Sequence, residues 1–304
     1  MASDTSPDII GIGICTVDHL LSVSQMPQYG SAIKASKYLQ QSGGLVASAL
    51  VAATRLGATT KIYARIGDDD EGQYIQQDLE REGVDASKLI IEPNTDTHIS
   101  VILVDNHTGE RSFVSRWATG SPIAINEISQ DDITSAKILF LDSVTEGTLQ
   151  AAQWAREAGV TVVIDPSCPF EVAKALLPWV DVPIVPESFA KGWMPDKPPE
   201  AVVQALYDLG ARIAVVTLGE RGCLVCSVDG VQAFPTIAVD VVDTTGAGDA
   251  FHGAFMVGLL NDWDVPRMAR FASAVGAMNC RFLGGRTGLP NRQQVDEFLN
   301  QFGV

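Results

Sequence analysis

The sequence predicts an α/β fold: a three-layer α/β/α core around a mostly parallel sheet, with a small discontinuous β appendage. Three observations predict it. Short, β-branched apolar runs alternate with helical patterns, as in successive βαβ units. Two segments, 15–41 and 95–117, break that alternation and read as strands without crossover helices. With 304 residues, 46% of them hydrophobic, the chain can bury a large core. Residues 1–14, 42–94 and 118–304 are expected to form the core, and 15–41 with 95–117 the appendage.

The elements follow in order. "DIIGIGI" (8–14) is apolar on both faces, as a central parallel strand should be. A small, apolar helix pattern runs from Gly43 through Leu56 and ends at Gly57, followed by the strand "TTKIYARIG" and a charged helix in "EGQYIQQDLEREG". The acidic "GDDDEG" (67–72) caps that helix; it lacks the glycine and glutamate of a calcium loop. "HISVILVDNHTGERSFVSR" reads as two strands joined at "NHTGE". The alternation then resumes with "AKILFLDS", a helix over 146–158, "VTVVIDPS", a helix over 170–177, "DVPIVPE", a helix over 199–209, "RIAVVTLGE" and "GCLVCSVDG". Three helix patterns close the chain, at 248–261, 265–280 and 291–300; the first carries Phe251, Phe255 and Leu259 on one stripe.

Charge and cysteine content exclude several functions. A formal net charge of −16 argues against nucleic acid and anionic membrane surfaces as partners. It does not argue against a phosphate held by local backbone N–H groups. The five cysteines show no framework spacing, and the C-x-x-C at Cys223 and Cys226 has no second pair for zinc. A reduced, cytoplasmic protein is expected. The N-terminal "MASDTSPD" is polar, with no signal-peptide pattern, and no apolar run reaches membrane-spanning length. "GIGICT" begins like a dinucleotide fingerprint, but Thr16 stands where the third glycine belongs. No G-x-x-x-x-G-K-[ST] occurs, which excludes a P-loop kinase. The four histidines have no metal spacing; His98 and His107 fall in the appendage.

The chemistry concentrates in "VVDTTGAGDAFHGAF" (241–255). Gly246, Ala247 and Gly248 join a strand-like run to a helix. A glycine turn at a helix N-terminus presents unpaired N–H groups and the positive end of the helix dipole, which suits a phosphate. Asp249 beside it is an ordinary cap by itself, but next to an anion hole it is placed to take a proton from a hydroxyl. Phosphoryl transfer needs just this: positioning, charge neutralisation and a base. Asp142 and Asp165 each end a parallel strand, where open α/β sheets bind ligands.

"DTTGAGDAF" resembles the C-terminal signature of the ribokinase, or PfkB, family of carbohydrate kinases, and further matches span nearly the whole chain. The resemblance implies a ribokinase-like fold in which 15–41 and 95–117 form a β lid over the sugar. It makes Asp249 the catalytic base and Gly246, Ala247 and Gly248 the anion hole. "SGGLVASALVAATRLG" (42–57) is similar to the N-terminal signature, so Gly43 and Gly44 would let the sugar approach the backbone. Asp18 would bind sugar hydroxyls. Ser48 stands where the family carries a sugar-binding Asn, and Asp142 is expected to face substrate. "GDDDEG" resembles the family's G-x-D-x-x-G segment. "TLGERG" resembles the nucleotide-side loop with Thr217, Gly219 and Gly222, and Asn279 joins them as a nucleotide residue. "GGRTGLP" (284–290) resembles the loop beside the nucleotide, so K⁺ would lie near Asp243, Thr245 and Gly285. The N-x-x-E segment that organises Mg²⁺ through water falls at "VPESFA" (185–190), where Glu187 is the one carboxylate. Within the family, "DVVDTTGAGDAFHGA" and "GGRTGLP" look closest to the ketohexokinase and sulfofructose-kinase branch, although 15–41 and 107–116 show no clear cationic cluster for a sulfonate.

The expectation is therefore an ATP-dependent kinase that uses Mg²⁺ and K⁺, acts on a hydroxymethyl group of a small sugar, and pairs as a homodimer through the lid. The rivals are a nucleoside kinase on the same fold, a non-catalytic regulator on a kinase scaffold, and a dinucleotide-dependent oxidoreductase.

Overall fold

The computed structural model describes residues 6–303, so part of the polar N-terminal stretch lies outside the described residues. The chain opens with β1 (Ile9–Ile12), β2 (Thr16–Val23) and β3 (Lys37–Gly43), then α1 (Leu45–Arg55), β4 (Thr60–Gly67), α2 (Asp70–Arg81) and β5 (Asp85–Glu92). The hairpin of β6 (Ile99–Asp105) and β7 (Arg111–Arg116) precedes α3 (Gln130–Ser135), β8 (Ile138–Leu141), α4 (Glu146–Glu157) and β9 (Thr161–Ile164). Next come α5 (Phe170–Ala173), β10 (Val182–Pro186), α6 (Glu187–Trp193), α7 (Pro199–Asp208), β11 (Ala214–Thr217), β12 (Cys223–Ser227) and β13 (Gly230–Phe234). Three helices follow: α8 (Ala247–Leu260), α9 (Val265–Asn279) and α10 (Arg292–Gln301).

A nine-stranded sheet has the order β13-β12-β11-β10-β9-β8-β1-β4-β5. It is parallel except at β12 and β13, which pair antiparallel at one edge. In β1, Ile9 lies beside Thr60 of β4 and Ile138 of β8. The strand order reverses there, and ligands of open α/β sheets bind beyond the carboxyl ends of strands at such a reversal. Side chains alternate across the sheet. Ile9, Phe140, Val163 and Val215 pack on α1, α8 and α9, whereas Ile10, Leu139, Val162 and Val216 pack on α4 and α7. That alternation makes three layers. Cys223 and Cys226 point to opposite faces of the sheet, and burial pushes the Cys223 thiol up to about 12.

The second sheet, β3-β2-β6-β7, has four strands and is the expected appendage. Its inner face buries Leu20, Ile102 and Val104 against Leu39 and Leu283. β3 runs on to Gly43, past the expected boundary at 41, and delivers the chain into α1. α1 accordingly starts at Leu45, not Gly43, because Gly44 takes φ +99°. The predicted helix over 170–177 is only α5 plus a 3₁₀ turn at Leu177–Trp179, since Pro178 cannot extend an α-helix. α8 is not amphipathic. Every residue from Ala250 to Gly258 is buried, because the helix is sandwiched between the sheet, α1 and α9. The sequence pattern does not announce β5 and β13; both are edge strands whose polar residues blur the apolar run. Asp69 caps α2, its side chain accepting from Gly72 N.

Candidate active site

A cavity of about 690 Å³ lies beyond the carboxyl ends of β1, β9, β10 and β11. The lid forms one wall with Asp18, Ser100, Arg111 and Phe113. The opposite wall carries Asp165, Cys168, Phe189 and Thr217. Thr245, Gly246, Gly248, Asp249 and His252 close the floor.

The floor is built by the turn into α8. Gly246 takes φ +71° as the N-cap residue and provides no side-chain cap; Ala247 N donates back to Thr244 O (3.3 Å), while the N–H groups of Gly248 and Asp249 are left without a partner among the described residues. A Cβ on Gly248 would meet nothing within 4 Å, which leaves room for a ligand to touch the backbone. Asp243 is fully buried and braces the turn from below. Its Oδ1 accepts from Thr245 N (2.9 Å) and Thr245 Oγ1 (2.7 Å), and its Oδ2 from Gly284 N (2.8 Å). Asn279, also fully buried, donates from Nδ2 to the carbonyls of Thr245 (3.1 Å) and Gly285 (3.0 Å). His252 Nδ1 donates to Gly248 O (2.7 Å), while its Nε2 meets Ile184 O (3.1 Å) and Asp165 Oδ2 (3.6 Å).

Asp249, the third residue of α8, lines the cavity. Burial and the nearby Asp165 carboxylate push its pKa well above the ordinary range, opposed in part by Arg286 and Arg111. A carboxylate held this way is a better proton acceptor than a free one. Across the cavity, Asp18 accepts from Thr16 Oγ1 (2.8 Å) and is likewise raised by burial. Gly44 borders it where β3 enters α1. The lid hairpin is pinned to the floor: Thr244 N and Oγ1 donate to Gly109 O (3.2 and 3.1 Å), and Arg111 Nη1 donates to Thr244 Oγ1 (2.5 Å).

Residues 6–292 match the pfkB family carbohydrate kinase profile. The chain belongs to that family. This carbohydrate kinase is 30% identical to an ATP-dependent ribose-1-phosphate kinase of Halopiger xanaduensis, over 96% of this chain and 98% of that one. It is 28% identical to a ribokinase of Haemophilus influenzae, over 95% and 97% respectively. A ribokinase crystal structure from Thermotoga maritima superposes with a TM-score of 0.83 at 25% identity, covering 97% of this chain and 99% of that one. The family and these relatives make the chain a phosphotransferase with an alcohol group as acceptor. Together they also support the coarser activity of a sugar or nucleoside kinase.

Of the residues singled out in the kinase's sequence, Asp249, Gly246, Gly248, Thr245, Asp18, Gly44 and Thr217 meet at the cavity. The others stand behind it. Ala247 follows the N-cap in α8, and Gly43 abuts Asp18, where a Cβ would come within 2.1 Å of Oδ2. Gly219 and Gly222 shape the turn after β11, with Gly222 N donating to Gly219 O (2.9 Å). Asn279 and Gly285 do not border the cavity; they support the floor from beneath.

Several expectations need correction. Ser48 does not face the cavity: it is 2% exposed, and its hydroxyl accepts from Arg286 Nε (3.0 Å). Asp142 is fully buried and turned inward, where its Oδ2 accepts from Ile14 N (2.8 Å). Burial raises it to about 7. Asp165, with the same strand-end position, is the one that reaches the cavity. Glu187 is held outside by Arg221 Nη2 (2.7 Å) and Lys191 Nζ (3.0 Å), which keep its carboxyl below the ordinary range. His98 is buried against Trp117 with no partner for Nε2, and does not line the cavity.

Sequence reasoning missed Arg111 and Arg286. Alternation in "RSFVSR" carries a signal for the first, since Arg111 and Phe113 share one face of β7 and both line the cavity. No local signal marks Arg286, whose partners are far away in the chain.

Proposed function

We propose that this kinase transfers the γ-phosphoryl group of ATP to a hydroxymethyl group of a small sugar. The observation that carries the reading is Asp249. Its carboxylate has no hydrogen-bond or ion-pair partner among the described residues, yet it sits in a cavity with an open helix N-terminus beside it. Asp249 takes the proton of the acceptor hydroxyl as the oxygen attacks phosphorus. The N–H groups at Gly246–Gly248 hold the transferring phosphoryl and match the charge that develops on its oxygens. Asp18 and the Gly44 backbone orient the acceptor, and Thr217 borders the nucleotide. Because burial raises Asp249, turnover should fall on acidification at a higher pH than an ordinary carboxylate would set.

ATP as donor agrees with the ATP-dependent relative. Mg²⁺ binds through one or two carboxylates plus substrate phosphates, and keeps its remaining waters. Asp165 fits that need: it is the carboxylate left on the cavity wall once Asp18 and Asp249 are assigned. Mg²⁺ would supply positive charge to the β- and γ-phosphates. The groups assigned to K⁺ are occupied within the protein, Asp243 by three donors and the Thr245 and Gly285 carbonyls by Asn279. Each of these carbonyls keeps a second lone pair for a cation, so the assay with and without K⁺ tests that assignment, and no step is derived through K⁺.

A nucleoside acceptor is a second reading, favoured by Phe113, a ring on the lid that faces the cavity while 54% exposed. The outer lid face leaves Tyr38 and Val114 59% and 68% exposed, which suits a homodimer through that sheet; a monomer by sedimentation would remove this proposal. No helix among the described residues is long and apolar enough to cross a membrane.

The deciding experiment is ADP release from ATP and Mg²⁺, with and without K⁺. The acceptor panel holds ketoses, aldopentoses, sugar acids, sugar phosphates and nucleosides, with Asp249→Asn as control. Strong turnover of one sugar, lost in the control, is expected. Turnover confined to nucleosides supports the second reading, and full activity in the control removes Asp249 as the base.

A further inference from the structure

Loop 284–288 touches both sides of the reaction. Towards the phosphate turn, Gly284 N donates to Asp243 Oδ2 (2.8 Å), and Gly285 packs so closely that a Cβ on Gly246 would lie 2.4 Å from Gly285 O. Towards the acceptor turn, the same loop sends Arg286 beneath Gly43 and Gly44. Arg286 is 4% exposed and does not line the cavity. Its Nε donates to Ser48 Oγ (3.0 Å), Nη1 to Ser42 Oγ (2.5 Å) and Asp78 Oδ2 (3.0 Å), and Nη2 to Gly43 O (3.1 Å). Arg55 Nη1 anchors the loop from outside by donating to Arg286 O (3.1 Å).

A buried guanidinium paired with one carboxylate is a poor way to gain stability, since apolar side chains of similar volume often do as well or better. What it adds is a rigid fork of donors. Here the fork grips the peptide of Gly43 and the first turn of α1, while the preceding Gly284 and Gly285 lean on the phosphate turn. A shift of either turn therefore strains the other. The positive charge also opposes the burial that raises both Asp18 and Asp249.

We propose that Arg286 is a positioning residue that couples the two turns, so that nucleotide bound at Gly246–Gly248 orders the acceptor turn at Gly43–Gly44. The proposal rests on the kinase reading of the cavity. Its test compares the wild type with Arg286→Lys and with Arg286→Met/Asp78→Leu, which removes both buried charges so that neither is stranded. One readout is kcat and KM for the best acceptor. The other needs no turnover: hydrogen exchange across residues 41–50 with and without a non-hydrolysable ATP analogue.

In the wild type the analogue should slow exchange at 41–50. In the folded double variant that protection should vanish and kcat/KM for the acceptor should fall about ten- to hundredfold, within the usual range of site-to-site coupling. Affinity for the analogue should stay within about threefold, well below that coupling, and Arg286→Lys should lie between. A merely structural role would lower the melting temperature and leave the nucleotide-dependent protection in place, which overturns the proposal. If the double variant does not fold, Arg286→Lys carries the same two readouts: protection reduced from the wild type supports the coupling, and protection equal to the wild type overturns it. A wild type that shows the protection but phosphorylates nothing sinks the kinase reading and leaves the coupling standing. A wild type that binds the analogue without protecting 41–50 sinks the coupling alone.

Discussion

The two glycine turns that face each other across the cavity use glycine for opposite reasons. At the acceptor turn the protein itself fills the space a side chain would need. A Cβ on Gly43 would come within 2.1 Å of Asp18 Oδ2, and one on Gly44 within 2.1 Å of Ile14 O. At the phosphate turn Gly246 abuts Gly285 in the same way, but Gly248 faces open space. The first turn is tight because strands and helix converge on it. The second is tight at its base and vacant at its tip, where the helix N-terminus emerges. Close packing explains the first; at Gly248 no neighbour demands a glycine, and the proposed phosphate contact is the reason offered for one.

Four substitutions sharpen or break that contrast. Asp249→Asn should have the largest effect: turnover should fall about 10²- to 10⁴-fold, the usual worth of a general base, while circular dichroism and nucleotide affinity remain normal. Gly44→Ala should strike stability instead. It combines φ +99° with a contact to backbone that cannot yield, and about 3 kcal/mol or more of lost stability is expected by denaturant melts. A melt unchanged from wild type would show that the acceptor turn is looser than it looks.

Gly248→Ala should do the reverse. An alanine within the first turn of a helix should leave stability unchanged or raise it by about 0.5–1 kcal/mol, yet steady-state assays should show lost turnover, because the methyl enters the space kept for phosphate. Normal turnover would mean that the vacant tip does not hold the transferring group. Asp142→Asn should have the smallest effect on turnover and appear in the pH dependence of stability. Asp142 holds Ile14 N, next to the Ile14 carbonyl that crowds Gly44. Its folded pKa of about 7 exceeds the ordinary 3.8, so the folded state binds the extra proton between those values. Stability of the wild type should therefore decline as pH rises from about 4 to about 7 and level off above, and the asparagine variant should flatten that slope.

Much of this was legible because it is local. The turn into α8 is written within ten residues, since glycine, a helix start and a carboxylate in the first turn act through their immediate neighbours. The parallel core was legible for the same reason: a strand apolar on both faces must be covered on both. Asp142 and Asp165 mark where local reasoning stopped. Both end adjacent parallel strands, so nothing nearby distinguishes them. The choice fell to what packs beside them: the Ile14 amide captures Asp142, and the cavity receives Asp165. Glu187 was diverted in the same way by Arg221, from the loop after β11.

By itself, then, the sequence determined the alternation of strands and helices, the separate lid and the glycine turn with a carboxylate in the first turn of its helix, because backbone preference and burial period operate over a few residues. The tertiary structure alone decided which strand-end carboxylate faces the cavity, that the lid brings Arg111 to the floor, and that Arg286 reaches Ser48, 238 positions away in the chain. Those outcomes depend on which distant groups compete for one buried donor or acceptor, and that competition is settled only when the layers close.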